Sequence, residues 1–496
     1  MERYVKPEVS QAEIDGAFSD GYRALWNEEV QKKIDKDIEA NRKADGEFQL
    51  PASAAGKEVK VQQLTHDFIF GAHIFNYEQL GTVERNERYK ELYGSLFNSA
   101  TIAFYWKTHE LEEGKPRFAP TFRDSEFFWN NCQTPWLEPH WRRPPTDPVV
   151  EFCLSKGIRL HGHPLVWGSN RWQIPDWLIE ELPEQFLKKV SLRRSVSSGV
   201  LENAAMAEAF EEMSPEEMEE AMPEYASRIN VLLAKRIMEI AARYGDKIHS
   251  WDVVNESAGD YARGRMVPGS KICKSCYGPM PGDYTYRAFK IAESILPESA
   301  KLNINDFDMS EHYLNQVNDL RRRGCKIDIM GAQLHLFNPQ ICQDIADGKS
   351  TRQSPEEVIS AMECLSKAGL PLHLSEITIT APGGDRKGEI IQAGITRNLY
   401  RLWFSTKQMI GITWWNVVDN CGAPGEPSVS GIFTRNMEPK LVYFTLDELI
   451  NKEWKTCIEC KADKEGKVAF RGFRGNYRLS WCDDKGLVQE QEFYLK

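Results

Sequence analysis

Two glutamates in this chain each stand directly after a short apolar run. Residues 251–256 read Trp-Asp-Val-Val-Asn-Glu and end at Glu256, and residues 373–376 read His-Leu-Ser-Glu and end at Glu376. A single glutamate at such a place fits an ion pair or a solvated carboxylate equally well. Two glutamates that emerge at one edge of a fold, with Asn255 directly before the first, favour a catalytic pair.

Paired carboxylates suit the cleavage of a glycosidic bond. The leaving oxygen needs a proton while positive charge builds on the sugar, so one carboxyl must be protonated and the other ionised. Burial and mutual repulsion separate the pKa values of such a pair. In retaining enzymes the carboxyl groups lie about 5–5.5 Å apart and one attacks the anomeric carbon, whereas in inverting enzymes a wider gap holds a water.

Eight short β-rich runs, with helix-patterned stretches between most of them, are expected to position these groups. The predicted strands are 67–72, 99–104, 158–166, 248–255, 301–305, 327–336, 372–377 and 411–417, and the predicted helices include 224–244, 286–295, 312–323 and 355–368. This alternation predicts an α/β fold, a closed (β/α)8 TIM barrel with catalytic groups at the carboxyl ends of its strands. An open doubly wound sheet is the alternative, but the sequence contains neither a GxGxxG turn nor a Walker motif.

The beginning of the chain departs from this alternation. Residues 11–44 carry apolar side chains at helical spacing, and a polar Asp45-Gly46 turn is expected to end that helix. Residues 58–63 alternate as a strand does. We therefore predict an N-terminal helix and strand extension over residues 1–65.

The catalytic barrel is predicted over residues 66–450, with two long loops near 110–148 and 193–223. Both loops follow strand ends, where barrel enzymes place loops that shape the substrate site. Residues 451–496 show alternating strands with Gly and Asp turns, which predicts a small C-terminal β appendage. We expect this appendage to pair with the strand near residue 60.

Charge and hydropathy exclude several classes of partner. The chain has 62 basic and 73 acidic residues, a net charge of −11, which disfavours nucleic acid and anionic membranes. No run of apolar residues is long enough to span a bilayer. The first residues lack the apolar centre of a signal peptide, so we expect a secreted or periplasmic protein whose leader is absent from this chain, or else a cytoplasmic one.

The chain has 14 tryptophans, and flat indole rings suit stacking on sugars. Trp129, Trp136 and Trp141 in the first long loop form either a sugar platform or the core of the loop itself. Trp167, Trp172 and Trp177 near the third strand are better placed to face a substrate, and of these we assign only Trp167 to the site.

Eleven cysteines include two CxxC pairs, Cys273/Cys276 and Cys457/Cys460. Zinc sites usually bring such pairs closer together in sequence than here, so zinc, local disulfides and free thiols stay open, and no chemistry is assigned to the cysteines. His161 and His163 have no evident third ligand, so no metal site is predicted.

Residues 251–256 resemble the acid/base signature of glycoside hydrolase family 10, the β-1,4-xylanases. Further segments resemble motifs of that family in the same order: residues 161–167 (His-Gly-His-Pro-Leu-Val-Trp), 305–307 (Asn-Asp-Phe), 333–336 (Gln-Leu-His-Leu), 375–377 (Ser-Glu-Ile), 411–415 (Gly-Ile-Thr-Trp-Trp), and 431–433 (Gly-Ile-Phe) with Pro439-Lys440 and Tyr443. The resemblance covers about residues 68–443. It implies a β/α barrel and a hydrolase that acts with net retention and without a cofactor.

The resemblance also implies roles for single residues. Glu256 would be the acid/base and Glu376 the nucleophile. Asn305 and Asp306 would support the pair. The residues that would bind substrate are Lys107, His163, Trp167, Asn255, Gln333, His335 and Trp415. The expected partner is a polysaccharide or oligosaccharide of the xylan type, with no metal and no obligate protein partner.

Several positions depart from the pattern of the family. Ala103 and Phe104 stand where the family has a Glu-Asn pair that binds the sugar two units to the non-reducing side, although Lys107 is kept. Gly168 replaces a histidine, Thr378 replaces an aspartate that orients the supporting histidine, and a second tryptophan of the eighth loop has no counterpart.

We therefore expect a divergent member with altered glycone-side subsites that cleaves xylan, decorated xylan or short xylo-oligosaccharides. The alternatives are action on another β-glycan, an exo mode caused by the long loops, and a carbohydrate-binding barrel without catalysis.

Overall fold

The computed structural model describes residues 4–132, 143–169, 172–188, 213–275, 278–423 and 425–496. Numbered in chain order, its strands are β1 (Lys43–Gln49), β2 (Glu58–Gln63), β3 (Ile69–His73), β4 (Ser99–Ala103), β5 (Arg159–His163), β6 (Val166–Trp167), β7 (Ser250–Asn255), β8 (Ile272–Ser275), β9 (Gly278–Pro281), β10 (Lys301–Asp306), β11 (Ile329–Leu336), β12 (Leu372–Ile379), β13 (Met409–Trp414), β14 (Cys457–Lys461), β15 (Lys467–Phe473), β16 (Gly475–Cys482) and β17 (Val488–Leu495).

Eight of the described strands form a closed parallel barrel in the order β3, β4, β5, β7, β10, β11, β12 and β13. The ring closes because β13 pairs with β3 and β7 pairs with β10. All eight residues of β12 are buried, as expected for a strand covered by side chains on one face and helices on the other. The predicted (β/α)8 TIM barrel is confirmed.

Helices surround this barrel. In chain order they are α1 (Gln11–Ala17), α2 (Asp20–Leu25), α3 (Glu28–Arg42), α4 (Val83–Ser95), α5 (Trp106–His109), α6 (Glu126–Asn131), α7 (Thr146–Lys156), α8 (Asp176–Ile179), α9 (Pro215–Ala221), α10 (Pro223–Tyr244), α11 (Ala258–Ala262), α12 (Tyr284–Ile295), α13 (Glu311–Arg322), α14 (Pro339–Ala346), α15 (Pro355–Ser366), α16 (Arg386–Ser405) and α17 (Leu441–Asp447), followed by a π-helical turn, Glu448–Glu453. In the described ranges, none of them is long and apolar enough to cross a membrane.

The single helix predicted over residues 11–44 is wrong, because the segment forms α1, α2 and α3. Ser19 and Asn27 interrupt it, since their side-chain oxygens accept hydrogen bonds from the backbone N–H groups of Tyr22 and Val30 and so start a new helix each time.

The turn predicted at Asp45-Gly46 is also wrong, because both residues lie inside β1, which pairs antiparallel with β15. A Cβ at Gly46 would come within 2.8 Å of the Phe48 ring and the Leu495 side chain, so this strand position needs glycine for close packing.

The C-terminal strands pair with strands from the beginning of the chain. β2 lies between β14 and β16, and β17 follows β16, in one antiparallel sheet. The pairing predicted near residue 60 is therefore present. We propose that β1 and β2 fold together with the C-terminal strands as one appendage, which qualifies the proposed domain boundary at residue 65.

The ten cysteines in the described ranges are free thiols. Cys457 is exposed and Cys460 half-buried on β14, and they are not bonded to each other. Cys276 of the other pair lies outside the described residues.

Candidate active site

Both candidate glutamates line one cavity of about 200 Å³ at the carboxyl ends of the barrel strands. Five of the residues predicted to bind substrate also line it, namely Trp167, Asn255, Gln333, His335 and Trp415. Strands far apart in sequence meet here because β7, β10, β11 and β12 are neighbours in the barrel. Their register places Asn255 beside Asn305 and Gln333 beside Glu376.

Glu376 lies in β12 and is almost entirely buried. The Nδ2 atom of Asn305 donates a hydrogen bond to its Oε1 atom at 2.7 Å, and Nε2 of His335 lies 3.3 Å from its Oε2 atom. Burial raises the pKa of this carboxyl to about 7, while the charge of His163 and the hydrogen bond from Asn305 act in the opposite direction. The contacts therefore orient the carboxylate and favour its ionised form against the effect of burial.

Glu256 follows the last residue of β7 and is half-buried. Its backbone is in the left-handed region, with φ at 51°, an uncommon conformation that costs a non-glycine residue about 1–3 kcal/mol. Neighbouring contacts hold the strained turn in place. The backbone N–H of Glu256 donates to the carbonyl of Asn305 at 2.8 Å, and the next turn is fixed where Ala258 N–H donates to Asp306.

Burial raises the pKa of Asp306 to about 6, against the backbone hydrogen bonds that it accepts. Its described contacts are with the backbone of the loop that follows Glu256, and one of its oxygens also accepts from the N–H of Asp308 at 3.0 Å. Asp306 thus supports the loop that carries Glu256.

An amide network fixes the residue before Glu256. Oδ1 of Asn255 accepts hydrogen bonds from Nδ2 of Asn305 at 2.8 Å and from Nε2 of Gln333 at 3.1 Å. Ser375 donates to Oδ1 of Asn305 at 2.5 Å, which fixes the orientation of that amide. Because the side-chain oxygen of Asn255 already accepts these two hydrogen bonds, its side-chain nitrogen is the group that Asn255 presents to a ligand.

His335 joins Thr378 to Glu376. Its Nδ1 atom lies 2.9 Å from Oγ1 of Thr378, and its ring stacks on Phe337 with centroids 4.3 Å apart. Burial lowers the pKa of His335 to about 4, so the ring is neutral near pH 7. Thr378, one of the departures from the family pattern, thus contacts the histidine that touches the carboxylate.

His163 lies behind the cavity wall. Its Nε2 atom is 3.6 Å from Oε1 of Glu376, and its Nδ1 atom is 2.8 Å from Oδ2 of Asp252, the atom that also contacts His161 at 2.8 Å. Burial would raise the pKa of Asp252, but the two histidines hold it below its ordinary value. The structure thus brings His163 to the nucleophile candidate from behind, while its predicted contact with substrate stays a prediction.

Lys107 is not among the described residues that line the cavity. It lies in α5, and its Nζ atom pairs with Oδ1 of Asp176 at 2.8 Å. Phe104, three residues before Lys107, is fully buried and packs on Trp251 with ring centroids 5.2 Å apart. The end of β4, the second strand of the barrel, therefore packs in the core. The family pattern has polar residues at this place, and they contact a sugar.

Residues that the sequence did not assign to the site also line the cavity: Tyr105, Arg143, Trp172, Phe337, Ala423 and Glu426. Phe337 directly follows β11 and Tyr105 is the second residue after β4, and a position just past a strand end was a signal for both. Arg143 and Glu426 lie in loops, where no periodic pattern reveals the direction of a side chain.

The first long loop is described in part. Trp129 is buried in α6 and contacts Phe128 at 5.1 Å between ring centroids, which supports the loop-core interpretation for this tryptophan. Trp136 and Trp141 lie outside the described residues. In the second loop, residues 193–212 lie outside them as well, and α9 begins after that segment.

Residues 62–449 match the family described as Glycosyl hydrolase family 10. Endo-1,4-beta-xylanase B of Thermotoga neapolitana is 24% identical over 323 residues, which cover 63% of this chain and 75% of the relative. The anti-sigma-I factor RsgI6 of Acetivibrio thermocellus is 23% identical over 336 residues, 67% of this chain and 34% of that protein. The chain thus spans between a third and three quarters of these two relatives.

Among solved structures, xylanase 10B from Thermotoga petrophila RKU-1 in complex with xylobiose has a TM-score of 0.50. It is 19% identical, and the match covers 78% of this chain and 95% of that one. At this identity, the likeness supports the barrel fold alone.

Proposed function

Since the chain belongs to glycosyl hydrolase family 10, we propose that it is a retaining endo-1,4-β-xylanase. The substrate would be xylan, decorated xylan or xylo-oligosaccharides. One observation supports this proposal most strongly. Glu256 and Glu376 line one cavity, and Glu376 is buried with Asn305 and His335 in contact with its carboxylate.

The reaction would run in two displacements. Glu256 gives its proton to the glycosidic oxygen while an oxygen of Glu376 attacks the anomeric carbon, so that the sugar–oxygen bond breaks and a glycosyl ester forms. The ionised Glu256 then takes a proton from water, and that water attacks the anomeric carbon and releases Glu376. Two inversions give net retention.

The surrounding residues have distinct proposed tasks. Asn255 would donate from its amide nitrogen to the 2-hydroxyl of the sugar, a contact that strengthens in the transition state. Trp415 forms an aromatic wall beside His163 and Phe75, with ring centroids 5.5 and 5.1 Å away, and would pack under the sugar that is cleaved. Trp167 lines the cavity and would contact the same ring.

Azide rescue tests the two roles separately. With an activated aryl β-xyloside, we expect Glu376→Ala to lose turnover, and azide to restore it with an α-xylosyl azide as the product, because azide then takes the place of the carboxylate. Glu256→Ala should give the β-xylosyl azide, because azide then attacks the glycosyl ester. The exposed Glu465, on a turn of the appendage, gives a matched control as Glu465→Gln. Unchanged turnover in Glu376→Ala would remove the assignment.

We also propose that the protein works outside the cytoplasm, in a secreted or periplasmic location, because a polymeric xylan is too large to enter a cell. Fractionation of the producing cells tests this, and activity confined to the cytosol would contradict it. A carbohydrate-binding barrel without catalysis is the alternative class. The retention of both carboxylates and of the contacts on Glu376 argues against it.

A further inference from the structure

Two charged side chains line the cavity and have no task in the double displacement, Arg143 and Glu426. Arg143 is buried, and its guanidinium carbon lies 4.6 Å from the ring centroid of Phe75 and 5.3 Å from that of Tyr105. Such stacking on aromatic faces holds the guanidinium plane in one orientation. Burial lowers the pKa of Arg143, but nearby groups including Glu426 oppose this, and the side chain stays charged.

Glu426 lies in the loop that follows β13. Its Oε2 atom accepts a hydrogen bond from the backbone N–H of Ala423 at 2.8 Å, which fixes the carboxylate at the cavity. Glu426, His335, Arg143 and Glu376 all line the same cavity, and the charge of Glu426 raises the pKa of the other three. The cavity therefore carries an oriented cation and an oriented anion in addition to the catalytic pair.

Part of the cavity wall is apolar and aromatic. Phe75, Ala103, Tyr105, Trp167 and Trp415 form one buried cluster, with Trp172 packed against it. Ala103 and Phe104 stand where the family pattern has a carboxylate and an amide for the neighbouring sugar. These two positions therefore offer no polar side chain to that sugar, and Arg143, which lies over the ring of Tyr105 close to the end of β4, places a charged group beside them.

We propose that Arg143 and Glu426 bind the sugar unit on the non-reducing side of the cleaved one, through its adjacent 2- and 3-hydroxyl groups. This inference rests on the proposed function. A guanidinium donates hydrogen bonds and a carboxylate accepts them, and a pair of neighbouring hydroxyls matches both. The ligand is a xylosyl unit with both hydroxyls free, because a substituent on either oxygen would separate the sugar from the two charges.

A uronic acid substituent fits less well at this unit. Its carboxylate would meet Arg143, but it would also meet Glu426 and the ionised Glu376 in the same small cavity. Repulsion between like charges in such a buried place costs more than one ion pair returns. The charges therefore select a neutral, undecorated xylosyl unit here.

Arg143→Met and Glu426→Gln test this proposal on two substrates, an aryl β-xylobioside and the aryl β-xyloside with the same leaving group. The first substrate places a sugar in the proposed site, and the second does not. We expect each variant to lower the ratio of kcat/KM for the xylobioside to that for the xyloside by about tenfold or more, since hydrogen bonds to charged groups are lost. The exposed Arg352→Met and Glu465→Gln are matched controls and should keep the ratio of the wild type. An unchanged ratio in both cavity variants would overturn the proposal.

A second arm uses the ligand instead of the protein. A xylotetraose that carries arabinose on the 3-hydroxyl of its non-reducing terminal unit should be cut at its central bond, two units away from that end, far more slowly than plain xylotetraose by the wild type. Equal rates would contradict the proposal. If the wild type cleaves none of these compounds, the proposed function fails instead. Calorimetric binding of xylobiose to the wild type and to Glu426→Gln then still tests the site, because weaker binding by the variant supports it and equal binding overturns it.

Discussion

The side-chain amide of Asn305 donates a hydrogen bond to Glu376 at 2.7 Å. The same nitrogen lies 2.8 Å from Oδ1 of Asn255, the residue before Glu256. One amide on β10 thus joins the nucleophile candidate on β12 to the segment that carries the acid/base candidate on β7. The two carboxylates share a support that lies between them in the barrel.

Asn305→Ala should lower kcat on an aryl β-xyloside by about 10- to 100-fold, because a hydrogen bond to a charged group contributes about 1.5–3 kcal/mol. The hydrogen bond stabilises the ionised form of Glu376, so its loss should raise the pKa of that group and move the acidic limb of the pH profile to higher pH. A pH series of kcat/KM measures both effects. Asn303 lies two residues earlier on β10 and contacts Ser250. Asn303→Ala is therefore the control for general damage to this strand. A limb that stays in place would contradict the role of Asn305.

Thr378→Asp should move the acidic limb to lower pH. A negative charge beside Nδ1 of His335 would raise the pKa of the ring, and a more positive ring would stabilise the carboxylate of Glu376 and lower its pKa. Glu426 already faces this ring and acts on it in the same direction. Thr378→Ser keeps the hydroxyl and should keep the wild-type profile, and a shift of Thr378→Asp to higher pH would refute this coupling.

Glu376 should make the protein less stable as pH rises. Its pKa is about 7 in the folded state against an ordinary 4.5, so the folded state binds the proton more tightly than the unfolded state does. The stability that this proton contributes is complete below about pH 4.5 and is lost as pH rises through 7, up to about 3 kcal/mol. We therefore expect Glu376→Gln to raise Tm above the wild type at pH 8 and to have little effect at pH 4. Equal Tm values at pH 8 would count against the raised pKa.

Lys107→Met should change KM on xylo-oligosaccharides by less than about fivefold. Its Nζ atom pairs with Asp176, and an ion pair of this exposure contributes about 0.2–1 kcal/mol. Asp176→Asn should then have a similar effect, because it breaks the same pair. A much larger loss in Lys107→Met than in Asp176→Asn would restore the direct sugar contact that the sequence predicted for this lysine.

The barrel was predictable because short β-rich runs recur along the chain with helix-patterned stretches between them. The runs near residues 372 and 411 became β12 and β13 with small shifts at their ends. Glu256 was predictable for a related reason, since a polar residue directly after a buried strand lies at the rim, whereas Glu376 lies inside β12 and was predictable from its strand context and its resemblance to the family motif. The prediction of one helix over residues 11–44 was wrong because Ser19 and Asn27 fit the spacing of a continuous helix, although each of them caps the start of a new helix.

The positions of Arg143 and Glu426 at the cavity could not be predicted from the sequence. A loop side chain reaches a cavity only if the path of the whole loop brings it there, and that path depends on contacts such as those of Arg143 with Phe75 and Tyr105. Lys107 shows the opposite case. Its place in the family pattern predicts a sugar contact, but its side chain pairs with another residue where the neighbouring positions are apolar instead of polar.

The backbone of Glu256, with φ at 51°, has a consequence for laboratory evolution. Glycine adopts that conformation without cost and asparagine more easily than glutamate does, so Glu256→Gly and Glu256→Asn would relieve conformational strain in the folded protein. A library selected for heat resistance without an assay of turnover would accumulate these substitutions at position 256. Its most durable clones would be inactive, and an activity screen has to accompany every round.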